Sequence, residues 1–322
     1  MKKFLALLLA FLLLLTACGT PAAPPEEGTA PPPATSAEPE ISDKPEKPEK
    51  PAKKEWKTLN VLMIGNSFCF YYVQELYGMA YMAGYKLNLC NLYKAGCTVE
   101  EHWNWLQNDA ANYDFWVTDS MGRRKHKTIK TSKEALAYAQ WDVITLQQHF
   151  PPSITQTTET AVAACTPYVK DLYDYLKTNH PNADLYWQET WAYEVGHSTV
   201  KDVQTQTVQQ AGIIGASAIL AEENGVTLIP SGHAWQSARA DETIGDQLCL
   251  DDHAHDGDMG GGQYLNACVW FEMLLRQSCI GNTWRPNDYH LNEKKALSLQ
   301  QHAHDAVAAI HGESFAITPI VP

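Results

Sequence analysis

Leu59-Asn60-Val61-Leu62-Met63-Ile64-Gly65-Asn66-Ser67-Phe68 is the stretch on which the reading of the chain turns. Residues 59–64 form a short apolar run closed by Gly-Asn-Ser, the pattern of a buried parallel strand entering a tight turn. Apolar and aromatic residues resume at Phe70, Tyr71, Leu76 and Met79, as a following helix requires. A serine at the carboxyl end of the first strand of an α/β sheet stands where such folds bind ligands. The competing reading is local: Gly65 and Asn66 turn the chain and Ser67 caps the helix.

Working outward, the same strand–turn–helix unit recurs. Residues 85–93 alternate polar and apolar and run into Lys94-Ala95-Gly96-Cys97-Thr98, where Thr98 and Glu101 form a capping box ahead of a helix. Residues 141–148 predict a third strand, stopped by Pro151-Pro152. Residues 158–179 have helical spacing, with Val162, Cys165, Val169, Leu172, Tyr175 and Leu176 on one face. A fourth strand is expected over 184–190, a long helix over 204–224 and a fifth strand over 226–230, with helices over 263–275 and 292–309 closing the chain. Residues 112–132 predict an insertion or a hairpin over the sheet. The alternation implies an α/β fold: a flavodoxin-like, three-layer α/β/α sandwich with a central parallel sheet of about five strands and right-handed crossovers. One domain is expected over 56–322.

The formal charge of −13 argues against nucleic acid as a partner. The N-terminus carries a positive n-region at Met1-Lys2-Lys3, an apolar stretch over 4–15 and Leu15-Thr16-Ala17-Cys18. The apolar stretch is shorter than the roughly 20 residues of a membrane span. Leu-Thr-Ala-Cys resembles the lipobox of bacterial lipoproteins, which implies a signal peptide over 1–17, lipid on Cys18, and an extracytoplasmic, membrane-anchored protein. Residues 18–55, rich in Pro, Ala, Glu and Lys, lack the apolar surface to fold and read as a tether. Seven cysteines follow Cys18 with no Cys-x-x-Cys pair, so no zinc ribbon and no particular disulfide is expected.

The second informative stretch is Asp251-Asp252-His253-Ala254-His255-Asp256-Gly257-Asp258, between the last strand and an apolar helix. It supports three readings: a polar surface turn, a metal site, or the acid–base half of a Ser…Asp…His triad. In the third, the His255 imidazole takes the Ser67 proton while Asp252 fixes its tautomer. Oxyanion donors would come from the Ser67 N–H, the Gly96 turn and the Gln147 side-chain amide, all at one edge of a parallel sheet. No Gly-x-Ser-x-Gly elbow is present.

Taken together, these residues resemble the SGNH (GDSL-like) hydrolase superfamily. Gly65-Asn66-Ser67-Phe68 is similar to its first block, Gly96 to its second-block glycine and Asp252-x-x-His255 to its last. Residues 95–103, 141–148, Gly262-Gln263-Tyr264-Leu265 and Trp270-Phe271-Glu272 resemble an SGNH-like family of unknown function, DUF4886. The resemblance implies a serine esterase without cofactor or metal, in which Ser67 attacks an ester carbonyl and water clears the acyl-enzyme. Because many SGNH relatives deacetylate carbohydrates, a small-molecule or glycan ester is the expected substrate. Trp191 and Tyr193, at the end of the fourth strand, read either as aromatics that stack on a sugar or as ordinary core or rim residues, with Asn66, Gln148 and His253 as further candidate contacts. Two positions stay open: His253 or His255 as base, and Gln147 or Gln148 where the family's third block carries asparagine. Two other functions remain: a non-catalytic glycan-binding lipoprotein, and a metal-dependent hydrolase using the Asp/His loop.

Overall fold

The computed structural model describes residues 57–248, 261–285 and 291–316. Strand β1 (Lys57–Gly65) passes through one 3₁₀ turn (Ser67–Cys69) into helix α1 (Val73–Met82). Next come β2 (Tyr85–Tyr93), α2 (Val99–Asn108), a hairpin of β3 (Asp114–Thr118) and β4 (Arg124–Lys127), and α3 (Ser132–Ala137). The chain continues as β5 (Val143–Gln147), α4 (Thr158–Ala163), α5 (Tyr168–Asn179), β6 (Asp184–Gln188), α6 (Val203–Asn224) and β7 (Thr227–Ile229). Helices α7 (Ser231–Ala240), α8 (Gly262–Leu275) and α9 (Glu293–His311) follow. No described helix is long and apolar enough to cross a membrane.

The strands form one sheet in the order β4-β3-β2-β1-β5-β6-β7. From β2 to β7 the neighbours are parallel, which gives the five parallel strands expected from the sequence. After β1 the chain builds outward through β2, then returns to place β5 on the other side. The carboxyl ends of β1 and β5 therefore flank the point where strand order reverses, the usual ligand crevice of such sheets.

Strand pleat divides β1 between two cores. Val61 and Met63 face the layer of α1, α7, α8 and α9, packing with Leu76, Trp235, Trp270 and Leu299. Leu62 and Ile64 face α2, α3, α5 and α6, packing with Leu106, Leu136, Leu172 and Ile213. Burial on both faces is why β1 reads as a continuous apolar run, each large side chain contributing about 1.5–3 kcal/mol. The described cysteines are free and buried.

Three expectations need correction. The segment 112–132 does not lie over the sheet; β3 pairs antiparallel with the outer edge of β2 and β4 with β3, satisfying backbone groups that the parallel core leaves unpaired. The single helix over 158–179 is two, because Pro167 has no N–H to continue α4 and instead stands at the start of α5. Between β7 and the Asp/His stretch lies α7, whose apolar residues Ala234, Trp235 and Ala238 are too few to announce a helix.

The two borders of the sheet differ. At one, β4 carries Arg124-Lys125-His126-Lys127, its last three residues exposed. At the other, β7 has three residues, and the His311 Nε2–H donates to the Leu228 carbonyl at 2.7 Å.

Glu75, in the first turn of α1, is buried, and its Oε2 has no hydrogen-bond partner. Burial pushes its carboxyl up to about 7, partly offset by the Arg124 charge. Above the unfolded value of 4.5 and below about 7, the native state binds a proton that the unfolded chain has lost. Stability therefore falls as pH rises across that window, by about 3 kcal/mol in all. Glu75→Gln removes the proton step, so its stability relative to wild type is expected to increase between pH 5 and pH 8 in denaturant titrations.

Candidate active site

β1 ends in a glycine because nothing larger fits. A Cβ on Gly65 would lie 2.4 Å from Gln147 Nε2 and 3.0 Å from Cys69 Sγ. Gly65→Ala is expected to cost about 1–3 kcal/mol by overpacking this junction, measurable as a lowered denaturation midpoint. Asn66, fully buried, ties three segments together. Its Oδ1 accepts from Gln147 Nε2 at 2.6 Å and from the Phe68 N–H at 3.2 Å, and its Nδ2 donates to the Cys97 carbonyl at 2.9 Å. The cap of the following turn is thus supplied by Asn66, not by Ser67. Ser67 is the first residue of the 3₁₀ turn and reaches the cleft surface.

The Gly96 turn lies alongside. Cys97 N–H bonds to the Lys94 carbonyl at 3.3 Å, and Gly96, third of the four residues, has φ +65°. No atom lies within 4 Å of a Cβ placed there, so the demand for glycine is conformational rather than steric. The Gly96 N–H has no hydrogen-bond partner among the described residues. Lys94 N–H to the Gly65 carbonyl, at 3.1 Å, and the Asn66–Cys97 bond hold this turn beside Ser67.

Ser67 and Gly96 open on a cleft of about 270 Å³, walled on one side by His149 and Tyr193 and on the other by Tyr71 and Tyr93. Phe68 backs the first wall, its ring centroid 5.5 Å from His149 and 6.0 Å from Tyr193. His149 Nε2 lies 2.9 Å from the Tyr193 hydroxyl. Burial holds the His149 imidazole down to about 4, so it is neutral at ordinary pH. On the second wall Phe70 stacks on Tyr93 at 4.5 Å, with the Arg124 guanidinium 3.9 Å above Phe70.

A thiol–imidazole pair stands behind the glycine turn. Cys97 Sγ lies 3.0 Å from His102 Nε2, and His102 Nδ1 lies 2.6 Å from the Tyr113 hydroxyl. Burial pushes the thiol up and the imidazole down to about 3, so both stay neutral. The pair braces the turn and is no activated nucleophile.

The sequence profile of a family described as "Domain of unknown function (DUF4886)" matches residues 60–306. The chain belongs to the DUF4886 family. A crystal structure of a DUF4886 family protein from Bacteroides uniformis ATCC 8492 is 27% identical, with TM-score 0.68, over 81% of this chain and 98% of that one. Other similar structures are a lipase/acylhydrolase from Enterococcus faecalis (12% identity, TM-score 0.41, 67% of this chain and 95% of that one) and a catalytic mutant of an acetylxylan esterase from Geobacillus stearothermophilus (13% identity, TM-score 0.41, 73% and 99%). No functionally curated protein matches the sequence.

In this DUF4886 chain, Asn66, Ser67, Gly96 and Tyr193, all singled out from the sequence, line one cleft. Gln147 and Gln148 stand behind it. The Gln147 amide is committed to Asn66, while Gln148 accepts from the Val99 N–H at 2.8 Å and donates to the His149 carbonyl at 2.7 Å. Neither glutamine lines the cleft. Trp191 is no sugar platform: it is 2% exposed, sandwiched parallel on Trp235 at 4.3 Å and edge-on to Phe68 at 4.9 Å. Asp252, His253, His255 and Cys18 lie outside the described residues. Sequence reasoning missed His149, Tyr71 and Tyr93. The available signal for His149 was its position directly after the two strand-end glutamines.

Proposed function

We propose that the chain is an SGNH-type serine esterase acting on a short acyl ester, with an O-acetyl group on a carbohydrate as the preferred substrate. The observation that carries this reading is Ser67 at the carboxyl end of β1, sharing one cleft with Gly96, whose N–H has no partner among the described residues, at the switch point of the sheet. The cleft volume of about 270 Å³ falls at the small end of ligand sites, room for an acetyl group and part of a ring rather than a long acyl chain.

In the proposed reaction Ser67 Oγ attacks the ester carbonyl carbon as its proton passes to His255, whose tautomer Asp252 fixes. The tetrahedral oxyanion rests on backbone N–H groups, among them that of Gly96. Collapse expels the alcohol, which takes the proton back from His255, and water repeats the sequence on the acyl-enzyme. A lipid on Cys18 would hold the enzyme at the outer face of a membrane. The test is covalent: a fluorophosphonate probe should label the full chain once, at Ser67 by peptide mass spectrometry, with loss of p-nitrophenyl acetate turnover. Label elsewhere, or full turnover after labelling, would sink the reading. Glycan binding without any turnover would favour a binding protein.

A further inference from the structure

We propose that His149 is an oxyanion donor of this site, presenting its Nδ1–H to the reacting carbonyl oxygen while the Tyr193 hydroxyl holds its Nε2. The inference rests on the serine-esterase reading and adds a residue to it.

Three consecutive polar residues close β5 and follow it, Gln147, Gln148 and His149. Gln147 is buried, gives an N–H of its Nε2 to Asn66 and does not line the cleft. Gln148 has both ends bonded within the protein. Of the three, His149 alone lines the cleft with Ser67 and Gly96.

The tautomer follows from its partner. In a phenol–imidazole pair the phenol O–H is the better donor and the neutral ring nitrogen the better acceptor, so at 2.9 Å Tyr193 donates to Nε2. The ring's own proton is then on Nδ1. That atom has no hydrogen-bond partner among the described residues and is not sealed in the interior. Burial keeps the ring from taking a second proton at neutral pH. Stacking on Phe68 at 5.5 Å and the bond to Tyr193 leave the ring little freedom to reorient. A donor fixed before the reaction, in a partly desolvated cleft, loses little to reorganisation as charge develops.

Kinetics on the full chain test the assignment, with p-nitrophenyl acetate as substrate and Ser67→Ala as the control. His149→Ala should lower kcat about 100- to 1000-fold with KM changed by less than about threefold, since the bond forms mainly in the transition state. His149→Asn, which restores a side-chain N–H in a smaller volume, should recover at least about tenfold of that loss. Tyr193→Phe, which releases the tautomer but spares the ring, should cost roughly tenfold in kcat. If His149→Ala keeps wild-type kcat, or only KM rises, His149 is not a donor. A folded His149→Asn that performs no better than His149→Ala would likewise reject the donor. If Ser67→Ala itself keeps turnover, the esterase reading fails and the donor falls with it; loss in Ser67→Ala beside full activity in His149→Ala rejects the donor alone.

Discussion

Ser67→Ala is expected to lower kcat for p-nitrophenyl acetate by about 10⁴- to 10⁶-fold while the protein keeps its fold. The size of the effect follows from the covalent route proposed above: without an oxygen nucleophile no acyl-enzyme would form, and only the cleft's proposed donors would remain to assist water. The fold should survive because Ser67 does not supply the cap that starts its turn. That cap comes from Asn66, which also makes the bonds to Gln147 and Cys97. The two quantities are therefore separable. Turnover above about a tenth of wild type in a variant with an unchanged melting curve would remove Ser67 from the chemistry.

The largest expected change in stability comes from Trp235→Ala, at about 3–5 kcal/mol, or on the order of 10 °C in Tm. Trp235 on α7 is fully buried. One face of its ring lies parallel to Trp191, and a Cβ on Gly262 would come within 2.5 Å of its edge, so the start of α8 rests on it. Removing the ring leaves a cavity that these neighbours can only partly close. The damage should also reach the cleft, because Trp191 abuts Phe68, and Phe68 backs His149 and Tyr193. Trp235→Phe, which keeps a ring against Trp191, should cost less than half as much. Denaturant melts of the two variants that coincide with wild type would show that α7 contributes little to the core.

The same residues show what a sequence can and cannot carry. β1 and β5 were legible because strands buried on both faces are short apolar runs, and that pattern needs no knowledge of partners. Ser67 and Gly96 were legible for a related reason, since their turn chemistry is written within four or five residues. The choice among Gln147, Gln148 and His149 was not. All three are polar strand-end residues, and what separates them is distance to Asn66, to Val99 and to the cleft, which only the assembled sheet defines. Trp191 stayed undecided between core and platform because of another helix: α7 has little apolar periodicity, so nothing in the sequence showed that Trp235 would cover it. The hairpin of β3 and β4 was visible as an element but not as an extension of the sheet, because pairing with β2 is long-range.

A sheet is in principle an unfinished object, since each border offers backbone groups to a further strand from any neighbouring chain. Here both borders are closed to that traffic by different means. Along β4, the exposed Lys125 and Lys127 set like charges against a second copy of the same strand. At β7, the strand is too short to template a partner, and the His311 imidazole already occupies the Leu228 carbonyl that an incoming amide would need. The consequence concerns neither folding nor catalysis but coexistence: many copies can sit side by side without zipping into a common sheet.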